Sequence, residues 1–266
     1  MKIRILSAIM MIVIFIPFLL IGNIPFAILM SLLSIMGLYE LLAMRKIKKE
    51  FPAIMKFIAY LTVIFFSLNN IDRLDFNFTM DYKVLGIIIF AFLLPMIFIN
   101  NNKKYNLNDS LFLIGSTLFI GLSFNLITVT RNIDLYHLIY LLLISTITDT
   151  FALVTGMLIG KHKLAPQISP KKTIEGFIGG LIMGTFVATS FYHVFINPNI
   201  QLVPLILITA LLSIVGQLGD LVFSMIKRYY DKKDFSNLIP GHGGILDRFD
   251  SLIFIVLAFI LVVGFI

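Results

Sequence analysis

Between Ser224 and Asp250 the chain reads SMIKRYYDKKDFSNLIPGHGGILDRFD, a stretch dense in Lys, Arg, Asp, His and Gly between segments that are almost all Leu, Ile, Val and Phe. Asp220 stands just upstream. On a helix, Asp220, Ser224, and Lys227 or Arg228 fall at i, i+4, and i+7 or i+8, so an acid, a hydroxyl and a cation share one face. Such a stripe suits a substrate with an apolar end and a charged end. An internal salt bridge with snorkelling cations would account for Lys227 and Arg228, but not for Gln217 and Gly219 on the same segment.

The loop that follows contains Pro240, Gly241, Gly243 and Gly244, which break regular structure and let a ligand approach the backbone. The next helix is expected to begin near Ile245. Glycine amides before a helix N-terminus, aligned with its dipole, form an anion site. Asp247 and Asp250 fall at i and i+3 in the first turn of that helix. Carboxylates beside an anion need a cation between them. Hard oxygen ligands plus phosphate is the Mg2+ pattern, in which substrate and water supply much of the coordination. Asp220 and Asp247 are the candidate metal pair, with Asp250 in support. His242 can serve as a metal ligand, an acid/base group or a phosphate donor; its glycine neighbours, including Gly243 and Gly244, favour phosphate.

A second basic segment, GKHKLAPQISPKKTIEGFIGG at 160–180, carries Lys171 and Lys172 after a turn at Ser169 and Pro170. Thr173 with Glu175 resembles a helix start. Two basic, glycine-containing loops fit a polyanionic substrate. A solvated basic surface accounts for Lys232 and Lys233, but not for glycines, a histidine and spaced carboxylates together.

The elements that position these residues are apolar. Of 266 residues, 59% are hydrophobic and 13% charged, with a mean hydropathy of +1.01. Soluble domains are about 45–50% apolar and about 25% charged, so much of this chain has the bilayer as its solvent. It has no cysteine, which excludes disulfides and thiolate chemistry, and no Trp, so any interfacial belt uses Tyr and Phe. The net charge of +7 sits mainly in short loops, which points to anionic lipid or a phosphorylated substrate rather than nucleic acid.

Nine candidate spans lie at about 4–22, 25–44, 53–71, 83–100, 109–130, 135–160, 174–196, 200–226 and 249–266. The basic start and apolar run at the N-terminus lack a small-x-small cleavage site and read as a retained first span. With the N-terminus cytoplasmic and sides alternating, 18 of the 21 basic residues fall inside and Arg73, Lys83 and Arg131 outside. The expected fold is an all-α polytopic membrane protein with about nine transmembrane helices and its C-terminus outside. Residues 1–108 supply about four N-terminal helices, and 109–266 carry the reactive loops within one membrane unit. RKIKKE at 45–50 reads as a topology signal and lipid-surface patch. Asp72, Asp75 and Asp81 read as solvated loop. Among ionisable residues inside spans, Glu40 is expected to pair with Arg45 or reach the interface. Asp149 is either functional or a buried helix–helix contact.

Ser224 to Asp250 resembles the signature of phosphatidate cytidylyltransferases, the CDP-diacylglycerol synthases: S-x-apolar-K-R, four residues, K-D-x-S, then apolar-P-x-H-G-G-x-x-D-R-x-D. ISPKKTIEG, Ile168 to Gly176, is also similar. DTFALVTGMLIGK, 149–161, resembles a weaker motif, with Phe151, Leu153 and Met157 where the family has Gly, Tyr and Arg. The resemblance implies that CTP and phosphatidate give CDP-diacylglycerol and pyrophosphate, with Mg2+ on Asp220 and Asp247, in a homodimer of the cell (inner) membrane. Lys171, Lys172, Lys227, Arg228 and Arg248 would hold phosphates, and the active site would face the cytoplasm.

Three alternatives remain at this point. One is a cytidylyltransferase for an ether-linked isoprenoid phosphate. Another is an anion transporter coupled through Asp149 and Asp220, which would carry an inverted repeat that this sequence lacks. The last is a structural scaffold. Lipid-alcohol transferases that consume CDP-lipids carry a D-G-x-x-A-R motif that is absent here.

Overall fold

In the computed structural model, residues 2–46, 49–69, 71, 82–99 and 104–265 are described. The expectations for Lys48, Asp72, Arg73, Asp75, Asp81 and Lys103, and for the side chains of Lys2, Arg4 and Lys46, lie outside them.

Backbone inside hydrocarbon has no water to bond, so these apolar runs close their hydrogen bonds within helices. The order is α1 (Lys2–Ile21), α2 (Asn23–Lys46), α3 (Ala53–Leu68), α4 (Tyr82–Leu93), α5 (Pro95–Ile99), α6 (Leu107–Ile133), α7 (Leu135–Ile159), β1 (Lys163–Ala165), β2 (Ser169–Thr173), α8 (Ile174–Phe195), α9 (Leu202–Tyr229) and α10 (Leu246–Val262), ending in a 3-10 turn, Val263–Phe265. Among the described residues, seven helical segments are long and apolar enough to cross a membrane, and Leu6–Ile21 and Ala53–Leu68 are shorter apolar helices. The protein is an all-α polytopic membrane protein. The expected single helix at 83–100 is interrupted at Leu94, where Pro95 has no N–H to continue the ladder.

Two compact units divide the chain. One comprises Met1–Val129 and Phe235–Ile245; the other comprises Thr130–Asp234 and Leu246–Ile266.

In the first unit α2 packs on α1 and α3. One of its buried carboxylates is Asp109, which accepts from Arg45 Nη2 at 3.0 Å and from Lys49 Nζ. The RKIKKE segment is therefore not simply a lipid-surface patch: two of its cations neutralise a carboxylate brought in by α6. Glu40 is 0% exposed; its Oε1 accepts from Ser236 Oγ at 2.6 Å and from the Ile245 amide at 2.8 Å.

In the second unit α7 and α8 form a tight pair, α9 packs on α8, and α10 packs on α9. Asp134 caps α7 by accepting from Tyr136 N, and Thr173 caps α8 by accepting from Gly176 N. Small residues let α7 and α8 approach closely: a Cβ on Gly180 would run into the Thr148 carbonyl and Ala152. Hydroxyl pairs then tie α7 to α9, Tyr140 with Thr209 at 2.8 Å and Thr148 with Ser213 at 2.9 Å. Because the obstacle at Gly180 includes backbone, Gly180→Val is expected to destabilise the helix pair by about 1–3 kcal/mol, as overpacking does. A lowered thermal midpoint in detergent is the measurement; an unchanged midpoint would refute the close packing.

Gln217 and Gly219, which a salt bridge could not explain, have packing reasons. Gln217 Nε2 donates to the Phe177 carbonyl at 3.2 Å, and a Cβ on Gly219 would strike the Phe254 ring.

Candidate active site

The second unit gathers most of the candidate residues. Asp220 lies in α9 and Asp247 in the first turn of α10, as expected. Lys172, on β2, sets its Nζ 2.5 Å from Asp220 Oδ2. Ser224, one turn along α9, donates to Asp220 Oδ1 at 3.4 Å. Lys227 is largely buried and donates to Asp247 Oδ1 at 2.7 Å. The expected stripe along α9 exists, and its cation reaches across to the α10 carboxylate. The two aspartates differ in access: the Asp220 side chain is 23% exposed and that of Asp247 only 4%.

Asp149 and Asp250 join them. Asp149, on α7, accepts from Ser251 Oγ at 3.2 Å and lies within electrostatic reach of Asp220, Lys172 and Arg248. Asp250 lies within reach of Asp220, Asp149 and Lys227. Three carboxylates from α7, α9 and α10 thus share one region, held against their mutual repulsion by cations. Asp149 contributes both a helix–helix contact and charge. Ser251 gave no signal in the sequence, since serine in an apolar helix is common packing material.

The basic segment at 160–180 folds as a hairpin, Lys163–Thr173, that leads directly into α8 rather than as an irregular loop. Lys163 pairs with Thr173 and Ala165 with Ser169. Glu175, beyond the expected cap Thr173, closes the base by accepting from the amides of Lys161 (3.1 Å) and His162 (3.2 Å) and contacting His162 Nδ1 at 2.6 Å. The hairpin carries Lys172 inward to Asp220 and leaves Lys171 exposed. Arg228 Nε donates to the Ile168 carbonyl at 3.2 Å and its Nη1 to that of Lys232 at 2.9 Å, so it latches α9 to the hairpin turn. Arg248 is exposed.

His242, Gly243 and Gly244 belong to the first unit. Ile239 to His242 form a turn with Pro240 and Gly241 at its centre, closed by the His242 amide donating to the Ile239 carbonyl at 2.9 Å. Gly241 (φ 78°) and Gly243 (φ 82°) occupy the left-handed region. Gly244 is needed for a different reason, because a Cβ there would meet the Glu40 carboxylate.

Among the described residues, no group of three or more His, Asp or Glu side chains is arranged to hold a metal by itself. A Mg2+ ion does not need one: one or two carboxylates with substrate phosphates and water are its usual shell. The more accessible Asp220, beside the cluster, fits that role in its donor chemistry.

Carboxylates balanced by ammonium and guanidinium groups, on helices made for a bilayer, define a membrane protein with a charged centre suited to phosphate-bearing substrates. The chain belongs to the cytidylyltransferase family, which matches residues 2–266. It is 38% identical over 256 residues to a phosphatidate cytidylyltransferase of Staphylococcus haemolyticus, covering 96% of both chains. It is 38% identical over 255 residues to the one from Staphylococcus saprophyticus and 36% identical over 255 residues to the one from Staphylococcus aureus, again covering 96% of each chain.

Proposed function

We propose that this protein transfers CMP from CTP to phosphatidate, giving CDP-diacylglycerol and pyrophosphate, at the cytoplasmic face of the cell membrane. The observation that carries the reading is the convergence of Asp149, Asp220 and Asp250 with Lys172 and Lys227 in a chain of this family. The segregation of Lys and Arg along the sequence supports nine spans and the cytoplasmic orientation. The family resemblance supports Mg2+ dependence and a homodimer.

The phosphatidate oxygen attacks the α-phosphorus of CTP and pyrophosphate departs. Both reactants are anions, so positioning and charge neutralisation make up most of the catalysis. Asp220 and Asp247 would hold Mg2+, with Asp250 in support, and the bound ion would polarise the α-phosphoryl group. Lys172 and Lys227 hold those carboxylates in charge balance before substrate arrives and offer their ammonium groups to phosphate oxygens. Lys171, Arg228 and Arg248 supply further positive charge and Ser224 orients Asp220; the sequence motif assigns phosphate contact to His242 with the Gly243 and Gly244 backbone. Acyl chains stay in the bilayer while the phosphate meets CTP at its surface.

The test is purified protein in detergent with Mg2+, labelled CTP and either phosphatidate or an ether-linked isoprenoid phosphate. Labelled lipid and released pyrophosphate with phosphatidate support the reading. Turnover confined to the isoprenoid lipid changes the substrate, and no CTP consumption with either refutes the activity.

A further inference from the structure

Glu40 is a buried carboxylate in an apolar helix, and its surroundings give it a task. Burying such a group is costly unless it is well bonded. Among its partners are the two ends of one loop: Ser236 Oγ donates to Glu40 Oε1 at 2.6 Å and the Ile245 amide to the same atom at 2.8 Å. Gly244 lies against the carboxylate so closely that any side chain would collide with it. Ser236 is itself fixed, its Oγ also accepting from the Leu238 amide at 3.2 Å. Between these ends lies the turn that presents His242 and Gly243. Its tip is held by α1: Ser7 Oγ donates to the Pro240 carbonyl at 3.0 Å and lies 2.8 Å from His242 Nδ1. Nδ1 is thus engaged with Ser7, and Nε2 is the ring atom left for a ligand.

We propose that Glu40 is a positioning residue for the transfer reaction. From inside α2 it locks the Ser236–Ile245 loop in the conformation that presents His242 and the Gly243 backbone to a substrate phosphate. The proposal rests on the cytidylyltransferase reading, and it gives the first two helices, which carry no reactive motif, a part in the chemistry. These two bonds end on one oxygen, so a glutamine can keep them and an alanine cannot.

The experiment compares wild type, Glu40→Gln and Glu40→Ala in detergent, with rates expressed per folded molecule. Glu40→Ala is expected to raise KM for CTP or phosphatidate about tenfold, the scale of lost supporting hydrogen bonds, with Glu40→Gln restoring most of it. Gly244→Ala is expected to impair the wild type but to add little in the Glu40→Ala background, because the carboxylate it strikes is gone. Unchanged KM in Glu40→Ala, equal impairment by Gln and Ala, or strictly additive effects of Gly244→Ala would each overturn the proposal. Hydrogen exchange of the Ile245 amide separates this proposal from the activity. If wild type turns over neither substrate, the activity reading fails, while faster exchange in Glu40→Ala still supports the anchor and unchanged exchange removes it.

Discussion

Asp220→Asn is expected to lower turnover by about 10²–10³-fold, the loss usual when a preorganised group facing developing charge is removed. Asparagine has nearly the size of aspartate and keeps an oxygen for Ser224, which bonds Oδ1 at 3.4 Å. What it removes is the negative charge. Lys172 then loses the partner 2.5 Å away. The pair is only partly shielded from solvent, with side chains 28% and 23% exposed, so the fold should lose little from its breakage. The effect therefore falls on rate rather than stability. If Asp220 takes part in holding Mg2+, half-saturation should also move to higher Mg2+ concentration. Initial rates over a grid of CTP and Mg2+ concentrations measure both. A variant that turns over within about threefold of wild type, with the same Mg2+ dependence, would remove Asp220 from the centre of the reaction.

Much of this site can be read in the one-dimensional pattern because its chemistry is local. Asp220, Ser224 and Lys227 share a helix, and helical periodicity alone places them on one face. Asp247 and Asp250 follow a glycine-rich loop and open a helix, which the breakers Pro240 to Gly244 announce. The nine apolar runs each coincide with helical structure because backbone in hydrocarbon has few alternatives. What was not legible depends on partners distant in sequence. Nothing near Glu40 indicates that its oxygen meets Ser236 and Ile245 some two hundred residues later. Nor does anything near Arg45 indicate that it bonds Asp109 of α6. The hairpin at 163–173 was hidden because its strands are too short to show alternation, and Pro170 argues against a strand. Gln217 and Gly219 looked chemical because polarity in an apolar segment is usually functional, whereas neighbouring helices explain both.

The Lys227–Asp247 pair separates structural from catalytic charge. Both side chains are nearly buried, at 11% and 4% exposure, and Nζ to Oδ1 is 2.7 Å. Removing one partner of such a pair leaves the other charge in a poorly solvating environment. Lys227→Met is therefore expected to destabilise the protein by about 3–5 kcal/mol, read as a lowered thermal midpoint in detergent. A second change distinguishes the roles. In Lys227→Met/Asp247→Leu both charges are replaced by apolar groups of similar volume, which for buried pairs is often neutral or better. Stability should recover in the double variant. Activity should not, because Asp247 and Lys227 are also assigned to the metal and phosphate, and their loss falls on the transition state rather than on the fold. Recovery of both stability and turnover would reduce the pair to packing between α9 and α10, and the reacting groups would then have to be sought in Asp149, Asp220 and Asp250 alone.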